Sequence, residues 1–163
     1  MKTLDYNAIC VMGTVGGEAS PEFGDILKND GNYVSVGENY PYDMNLLPFV
    51  KDINARFKAK YGYDIEHSSG QALCAVSALI DALERAGSKD HDKVRDALAK
   101  TDIKFGQYWV IMPDGVKFDA EGQNTMAIMP VSQWFNGVKH LIYPAKYATQ
   151  KPVWPMVKWS DRK

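Results

Sequence analysis

"LPFVKDINARFKAKYG", residues 47–62, has the pattern of an amphipathic helix that needs a covering surface. Pro48 stands in the first turn, where proline is favoured, and Gly62 is a typical helix stop. The apolar residues recur at steps of three and four and form one face: Phe49, Val50, Ile53 and Phe57. This apolar face must pack against another element of the fold.

Two more amphipathic helices follow this stretch. The first is predicted to begin after Ser68 and Ser69 and to end at Gly87, and the second covers about residues 90–100. The apolar face of the longer helix is broad: Leu73, Val76, Leu79, Ile80 and Leu83. Three consecutive helices of this kind leave apolar surface over when they pack on one another, so they predict packing against a β-sheet.

Short apolar runs supply the predicted strands. "NAICVMG", residues 7–13, is continuous enough for a strand buried on both faces, and "NYVSVG", residues 32–37, predicts a second one. Between them, Ser20 is predicted to cap a helix that has Pro21 at its first position. Asn136-Gly137 between alternating runs predicts a β-hairpin. The fold class is therefore α/β, with a hairpin-rich C-terminal third.

The composition excludes some classes of protein. The chain has 163 residues, 45% of them hydrophobic, and a net charge of -1, which suits one globular domain or parts of two. Without a basic stripe, we expect no nucleic-acid partner. No apolar run approaches the roughly 20 residues that span a bilayer. The N-terminal "MKTLDYNAICVMG" has one lysine and no long apolar core, so it does not read as a signal peptide.

Residues that could do chemistry are scattered. The three histidines form no metal-ligand pair, and the carboxylates show no spacing that indicates a catalytic dyad. Cys10 and Cys74 lie in apolar runs and are expected to be small buried hydrophobic residues. We therefore expect no metal, no cofactor and no catalysis.

The loop "GTVGGE", residues 13–18, is the most suggestive segment. It feeds a helix N-terminus, whose free backbone N–H groups could hold an anion such as a carboxylate. It could equally be a tight turn that requires glycine dihedral angles. Farther on, Tyr40 and Tyr42 could stack on a ligand or pack at a joint between lobes.

Several phrases in order resemble one known family. They are "LPFVKDINARFKAKYGYD", "ALERAG", "KVRDALAKTD" and "FDAEGQN" followed by "QWFNG". Together they resemble the C-terminal half of the periplasmic solute-binding proteins of branched-chain amino acid ABC transporters. The resemblance implies a type I periplasmic-binding fold of two three-layer αβα lobes, with ligand bound between them and only the C-terminal portion present in this chain.

The resemblance also implies a division of the chain. Residues 1–37 and 106–163 would belong to the second lobe and residues 43–103 to the first, with hinge connectors at 38–42 and 104–106. The helix at residues 47–62 would then pack on a sheet whose other strands belong to the N-terminal half of such proteins. Self-association or that N-terminal half would cover its apolar face.

The resemblance assigns candidate ligand contacts in both lobes. Those on the second lobe or the connector are Gly13, Thr14, Val15, Gly16, Glu18, Tyr40 and Tyr42. Ser68 and Gln71 would reach the ligand from the first lobe. In relatives an acidic loop residue meets the ligand's ammonium group, whereas here Val15 matches that position and Glu18 lies three residues further on. The ligand stays open among branched-chain amino acids, amides and aromatic acids.

The implied function is that of the substrate-binding component of an ABC-type uptake system. Such a protein binds its solute by hinge closure and docks on a membrane permease, in the periplasm or outside the cell. One alternative is a ligand-sensing domain of a receptor or regulator with the same fold. A more remote one is an amide-hydrolysing enzyme that uses Cys10 or Cys74 as nucleophile.

Overall fold

The computed structural model describes residues 1–14, 16–108 and 114–162, which form two compact units. Unit 1 combines Met1–Leu46 with Met129–Lys163, and unit 2 is Leu47–Ile128. Unit 2 is thus inserted between the two parts of unit 1. The predicted assignment of lobes, with connectors at 38–42 and 104–106, stays a prediction.

The elements fall into groups along the chain: two short strands around one helix come first, then three consecutive helices, then a run of strands. In order they are β1 (Met12–Thr14), α1 (Pro21–Leu27), β2 (Ser35–Gly37), α2 (Pro48–Tyr61), α3 (His67–Ala86), α4 (His91–Leu98), β3 (Asp102–Lys104), β4 (Gly115–Lys117), β5 (Val131–Phe135) and β6 (Val138–Tyr143). Short 3₁₀ turns join several of them.

A four-stranded sheet is the centre of unit 1. Its strand order is β1-β2-β5-β6, with β1 and β2 parallel and the other neighbours antiparallel. The hairpin between β5 and β6 turns at Asn136 and Gly137, whose φ angles of 52° and 77° match a two-residue turn with both residues left-handed. The hairpin prediction is confirmed.

The core of unit 1 lies between this sheet and α1. Its buried members are Ala19, Val34, Val36, Trp134 and Met156. The ring of Phe23 in α1 packs on Trp134 at a centroid distance of 5.3 Å. Helix α1 can come this close because Gly24 has no side chain, and a Cβ there would overlap the carbonyl oxygen of Gly137.

Unit 2 contains α2, α3 and α4 together with the β3–β4 hairpin. Helix α2 covers the predicted range and ends at Gly62 with φ 85°, while α3 ends at Gly87 with φ 56°, so both predicted stops are confirmed. Val50 and Ile53 of α2 are buried as expected.

Helix α3 presents the opposite face from the predicted one to its neighbours in unit 2. Its buried residues are small or polar: Gly70, Cys74, Ser77, Ala78, Asp81 and Ala82. Ala78 packs with Ile103 and Val116 of the β3–β4 hairpin. The large apolar residues Val76, Leu79 and Ile80 are 52, 42 and 48% exposed. Small side chains let the hairpin and α4 approach closely, so the face of alanines becomes the interior.

Two expectations for the N-terminal segment are wrong. Residues 7–11 are not a buried strand, because the strand is limited to Met12–Thr14 at the edge of the sheet and Ile9 is 67% exposed. Cys10 is exposed, whereas Cys74 is buried as expected. Because β1 is an edge strand and the residues before it are irregular, the apolar run at residues 7–11 lacks the second covering layer of a buried strand. The β-prone run of residues 108–112, whose sequence favours a short strand before Pro113, lies mostly outside the described residues.

Candidate functional site

The candidate site is the glycine loop, residues 13–18, at the carboxyl end of β1. Strands β1 and β2 are parallel, and open α/β sheets bind ligands beyond the carboxyl ends of such strands. Gly13 and Thr14 are the last residues of β1, and Gly16 leads into a 3₁₀ turn that contains Glu18. Val15, a predicted contact, lies outside the described residues.

The Glu18 side chain folds back over this loop. A Cβ added at Gly13 would overlap its Oε1, and a Cβ added at Gly16 would lie 2.6 Å from its Oε2. The carboxylate therefore occupies the space that side chains at both positions would fill. Gly16 has an extended backbone, with φ -93° and ψ -161°, so the turn does not require a left-handed glycine there. Instead, the missing side chain at Gly16 leaves room for the Glu18 carboxylate.

Two side chains from the β5–β6 hairpin hold the backbone just after the loop. The indole Nε1 of Trp134 donates to the carbonyl oxygen of Glu18 at 2.9 Å. The Nζ of Lys139 donates to the carbonyl oxygen of Ala19 at 2.6 Å. Both donors are largely buried, which fixes the loop against the sheet. Sequence reasoning missed both residues, because a lysine in an alternating strand reads as solvent-exposed.

The two candidate tyrosines differ in exposure. Tyr40 is fully buried, and its hydroxyl donates to Asn45 Oδ1 at 2.6 Å, so it packs inside the protein. Tyr42 is 40% exposed, which leaves part of its ring open to solvent. Of this pair, Tyr42 has the accessible surface that a stacking role requires.

In unit 2, Ser68 and Gln71 are both exposed in the first turns of α3. The backbone N–H groups of Ser68 and Ser69 donate to the carboxylate of Glu66 at 3.0 and 2.9 Å, in a capping box. Burial raises the pKa of Glu66, but these hydrogen bonds outweigh it and leave the pKa below 4.5. The Glu66 carboxylate therefore already accepts from the backbone N–H groups that could otherwise bind an anion at this helix N-terminus.

A shallow groove of about 490 Å³ runs along the exposed face of α3. It is lined mostly by apolar residues from three parts of unit 2: Phe49, Leu73, Val76, Ser77, Ile80, Glu84, Gly106 and Tyr108. The sequence predicted the apolar stripe but assigned it to the interior. In this chain the stripe is an open surface.

The described residues also bear on two other kinds of feature, metal sites and membrane-spanning helices. Among them, no group of three histidine, cysteine or acidic side chains could hold a metal ion. No helix in that part of the chain combines the length and apolar character needed to cross a bilayer.

Comparison with known proteins places this geometry in context. A family model described as "Periplasmic binding protein" matches residues 5–138. The "Leu/Ile/Val-binding protein homolog 8" of Brucella abortus is 27% identical over 152 residues, which are 90% of this chain and 37% of that protein. The protein of the same description from Brucella suis matches equally. The chain thus spans little more than a third of the length of these relatives.

Solved structures with a similar fold give the same coverage. A leucine-binding protein from Thermotoga maritima has a TM-score of 0.65 at 22% identity, over 86% of this chain and 38% of that one. A protein assigned as a branched-chain amino acid ABC transporter from Rhodospirillum rubrum has a TM-score of 0.65 at 24% identity, over 86% and 39%. At these identities the likeness shows a shared fold.

Proposed function

This chain belongs to the periplasmic binding protein family and has part of its type I α/β fold, and from that premise we propose that it contributes one side of a solute site. The proposed role is the substrate-binding component of an ABC-type uptake system, which delivers its solute to a membrane permease. The periplasm, or the outer surface of the cell, is the compartment in which this role is carried out. No chemical change of the solute is required.

The observation that carries the proposal is the position of the Glu18 carboxylate over Gly13 and Gly16. A carboxylate at the carboxyl end of a parallel strand attracts a cationic group, and an ammonium group suits it in both charge and size. Among branched-chain amino acids, amides and aromatic acids, this favours the amino acids. The printed names of the Brucella relatives and of the Thermotoga protein support the same class.

The proposed mechanism is hinge closure. A solute that contacts two lobes favours the closed arrangement by the difference between its affinities for the closed and open states. The proposed contacts include the glycine loop and the exposed ring of Tyr42. Ser68 and Gln71 remain proposed contacts as well, and a solute carboxylate that used the Ser68 amide would have to displace Glu66.

Unit 2 supports a further part of the proposal. Val76, Leu79 and Ile80 form an exposed apolar face on α3, and the matched segment is only 37% of the relatives' length. We propose that polypeptide corresponding to the relatives' remaining length covers this face. A complete solute site then needs that polypeptide as well, so binding by this chain alone is expected to be weak.

The test of the proposed function is nuclear magnetic resonance of the glycine-loop amides during titration with L-leucine. We expect L-leucine to shift the signals of Gly13, Gly16 and Glu18, and 4-methylpentanoate, which lacks the amino group, to leave them in place. Glu18→Gln should remove the response to L-leucine. The matched control is Glu22→Gln, which removes the same charge from an exposed residue nearby.

Three results would contradict the proposal. One is the absence of any shift with L-leucine at millimolar concentration. Another is an equal response to 4-methylpentanoate, which would show that the ammonium group is not recognised. The third is a response that survives in Glu18→Gln but is lost in Glu22→Gln.

A further inference from the structure

Lys139 joins two segments of unit 1 that are far apart in sequence. Its Nζ donates to the carbonyl oxygen of Ala19, directly after the glycine loop, at 2.6 Å. The same Nζ forms an ion pair with Glu38 Oε2 at 2.5 Å. The Lys139 side chain is only 10% exposed and that of Glu38 is fully buried, so this ion pair is an interior one.

The ammonium group of Lys139 remains beside Ala19 because Glu38 balances its charge. An ammonium group in the interior is strongly unfavourable without a partner of opposite charge, and a single carbonyl oxygen does not compensate for lost hydration. The ring of Trp134, whose centroid is 5.8 Å from Nζ, adds only a modest attraction. Without the Glu38 charge, the long lysine side chain would turn its ammonium group towards water.

Glu38 directly follows β2, on the segment that leads from unit 1 into unit 2. It begins the exit segment, which we define as residues 38–46, between β2 and the start of unit 2. Its backbone N–H donates to the carbonyl oxygen of Pro130 at 3.1 Å, and Pro130 lies beside the point where the chain returns from unit 2. A displacement of the backbone where the chain leaves unit 1, or where it returns at Pro130, therefore also moves Glu38.

We propose that Lys139 is a positioning residue that couples the glycine loop to the exit segment, so that the two segments open and close together. The functional meaning rests on the proposed role of the loop in holding solute. Through this link, a solute that fixes the loop also stabilises the exit segment, which leads from unit 1 into unit 2. Conversely, a displaced exit segment releases Ala19 and loosens the site.

Hydrogen–deuterium exchange tests the coupling without any ligand. The turn that follows the loop offers protected amides, since the N–H groups of Ala19 and Ser20 donate to the carbonyl oxygens of Gly16 and Gly17 at 2.9 and 3.2 Å. In Glu38→Gln we expect exchange of peptides covering residues 16–20 to rise about tenfold, the factor for loss of one hydrogen bond to a charged group. Glu38 is linked to this turn through Lys139, whose Nζ donates to the Ala19 carbonyl oxygen, so this rise reports transmission through the lysine.

The matched control is Tyr40→Phe. It removes the hydrogen bond from the Tyr40 hydroxyl to Asn45 within the same exit segment and leaves the ion pair intact. Exchange should rise in residues 38–46 and stay at the wild-type level in residues 16–20. Lys139→Arg, which keeps a buried cation, should restrain the loop better than Lys139→Met.

Two results would overturn the inference: unchanged loop exchange in Glu38→Gln, or an equal rise in Tyr40→Phe. If Glu38→Gln does not fold, the double variant Glu38→Met with Lys139→Met is used instead. It replaces the buried ion pair by apolar side chains of similar length, and such a replacement is often neutral or stabilising. It should still raise loop exchange, and wild-type protection in it would also overturn the inference. L-Leucine binding is measured separately, so failure of the proposed function leaves this result readable.

Discussion

The sheet of unit 1 and helix α3 of unit 2 differ in where they place their large apolar side chains. The sheet buries Val36 and Trp134 in a core shared with α1 and the C-terminal segment. Unit 2 buries alanine, serine and cysteine on α3 and exposes Val76 and Ile80. The sheet is therefore covered by residues of its own unit, whereas α3 keeps an exposed apolar face within the part of the chain that the structure describes. The predictions below test that difference.

The largest effect is expected where unit 1 is packed most tightly. Gly24→Ala places a methyl group against the Gly137 carbonyl oxygen and 2.5 Å from Cζ3 of Trp134. Because the obstacle includes backbone, the free energy of unfolding should fall by about 3 kcal/mol. Urea unfolding followed by tryptophan fluorescence measures this change.

Gly17→Ala is the control for that measurement, because nothing lies within 4 Å of a Cβ at Gly17. It should shift the urea midpoint little. Equal midpoints for the two alanine variants would contradict the close approach of α1 to the β5–β6 turn.

The next effect concerns the charged network in unit 2. Arg85 forms an ion pair with the buried Asp81 at 2.6 Å and donates to the Ala97 carbonyl oxygen and the Thr101 hydroxyl. Arg85→Met leaves the Asp81 carboxylate buried without this cation. Since 35% of the Arg85 side chain is exposed and solvent screens the pair, we expect a loss of about 2 kcal/mol.

Arg95→Met is the matched control for the Arg85 variant. Arg95 pairs with Asp92 and Asp96, but all three side chains are more than half exposed. Its loss should lower the unfolding free energy by less than about 0.5 kcal/mol. A cost equal to that of Arg85→Met would show that burial of Asp81 has no energetic weight.

A smaller effect is expected at the start of α3. Glu66→Ala removes the carboxylate that accepts from Ser68 and Ser69, which should cost about 1 kcal/mol at neutral pH. The folded-state pKa of Glu66 is lowered from 4.5, so its stabilisation is present above that value and is lost as the pH falls through the lower folded value. The difference between wild type and variant should therefore shrink below pH 4.5. Unfolding free energies across that range measure it, and a constant difference would contradict the capping role of the charged form.

The smallest effect on stability is expected on the exposed face of α3. Ile80 is 48% exposed, so Ile80→Gln should change the unfolding free energy by less than about 0.5 kcal/mol. It should nevertheless reduce self-association at high concentration, because it interrupts an apolar patch. Light scattering checks this, with Val138→Gln, equally exposed in unit 1, as control. A large loss of stability in Ile80→Gln would remove the contrast between the units.

Sequence patterns predicted the features that depend on neighbouring residues. The limits of α2, the stop at Gly87 and the Asn136-Gly137 turn each follow from local dihedral preferences. They are confirmed because no distant contact is needed to specify them.

Other features depend on contacts that no local pattern encodes. Periodicity groups Val76 with Ile80 on one face of α3, but it cannot tell which face its neighbours cover. The fold-back of Glu18 depends on the absence of side chains at Gly13 and Gly16, and burial of Lys139 depends on Glu38. Thus the loop was found from its glycines, whereas the residues that anchor it appear only in three dimensions.

The insertion of unit 2 within unit 1 constrains how the chain folds during synthesis. Unit 2 is continuous, so it can become ordered as soon as residue 128 has left the ribosome. The sheet of unit 1 must wait for β5 and β6, which follow unit 2 in the chain, and until then β2 lacks its antiparallel neighbour. During synthesis, unit 2 can therefore become ordered before the segment that precedes it completes its sheet.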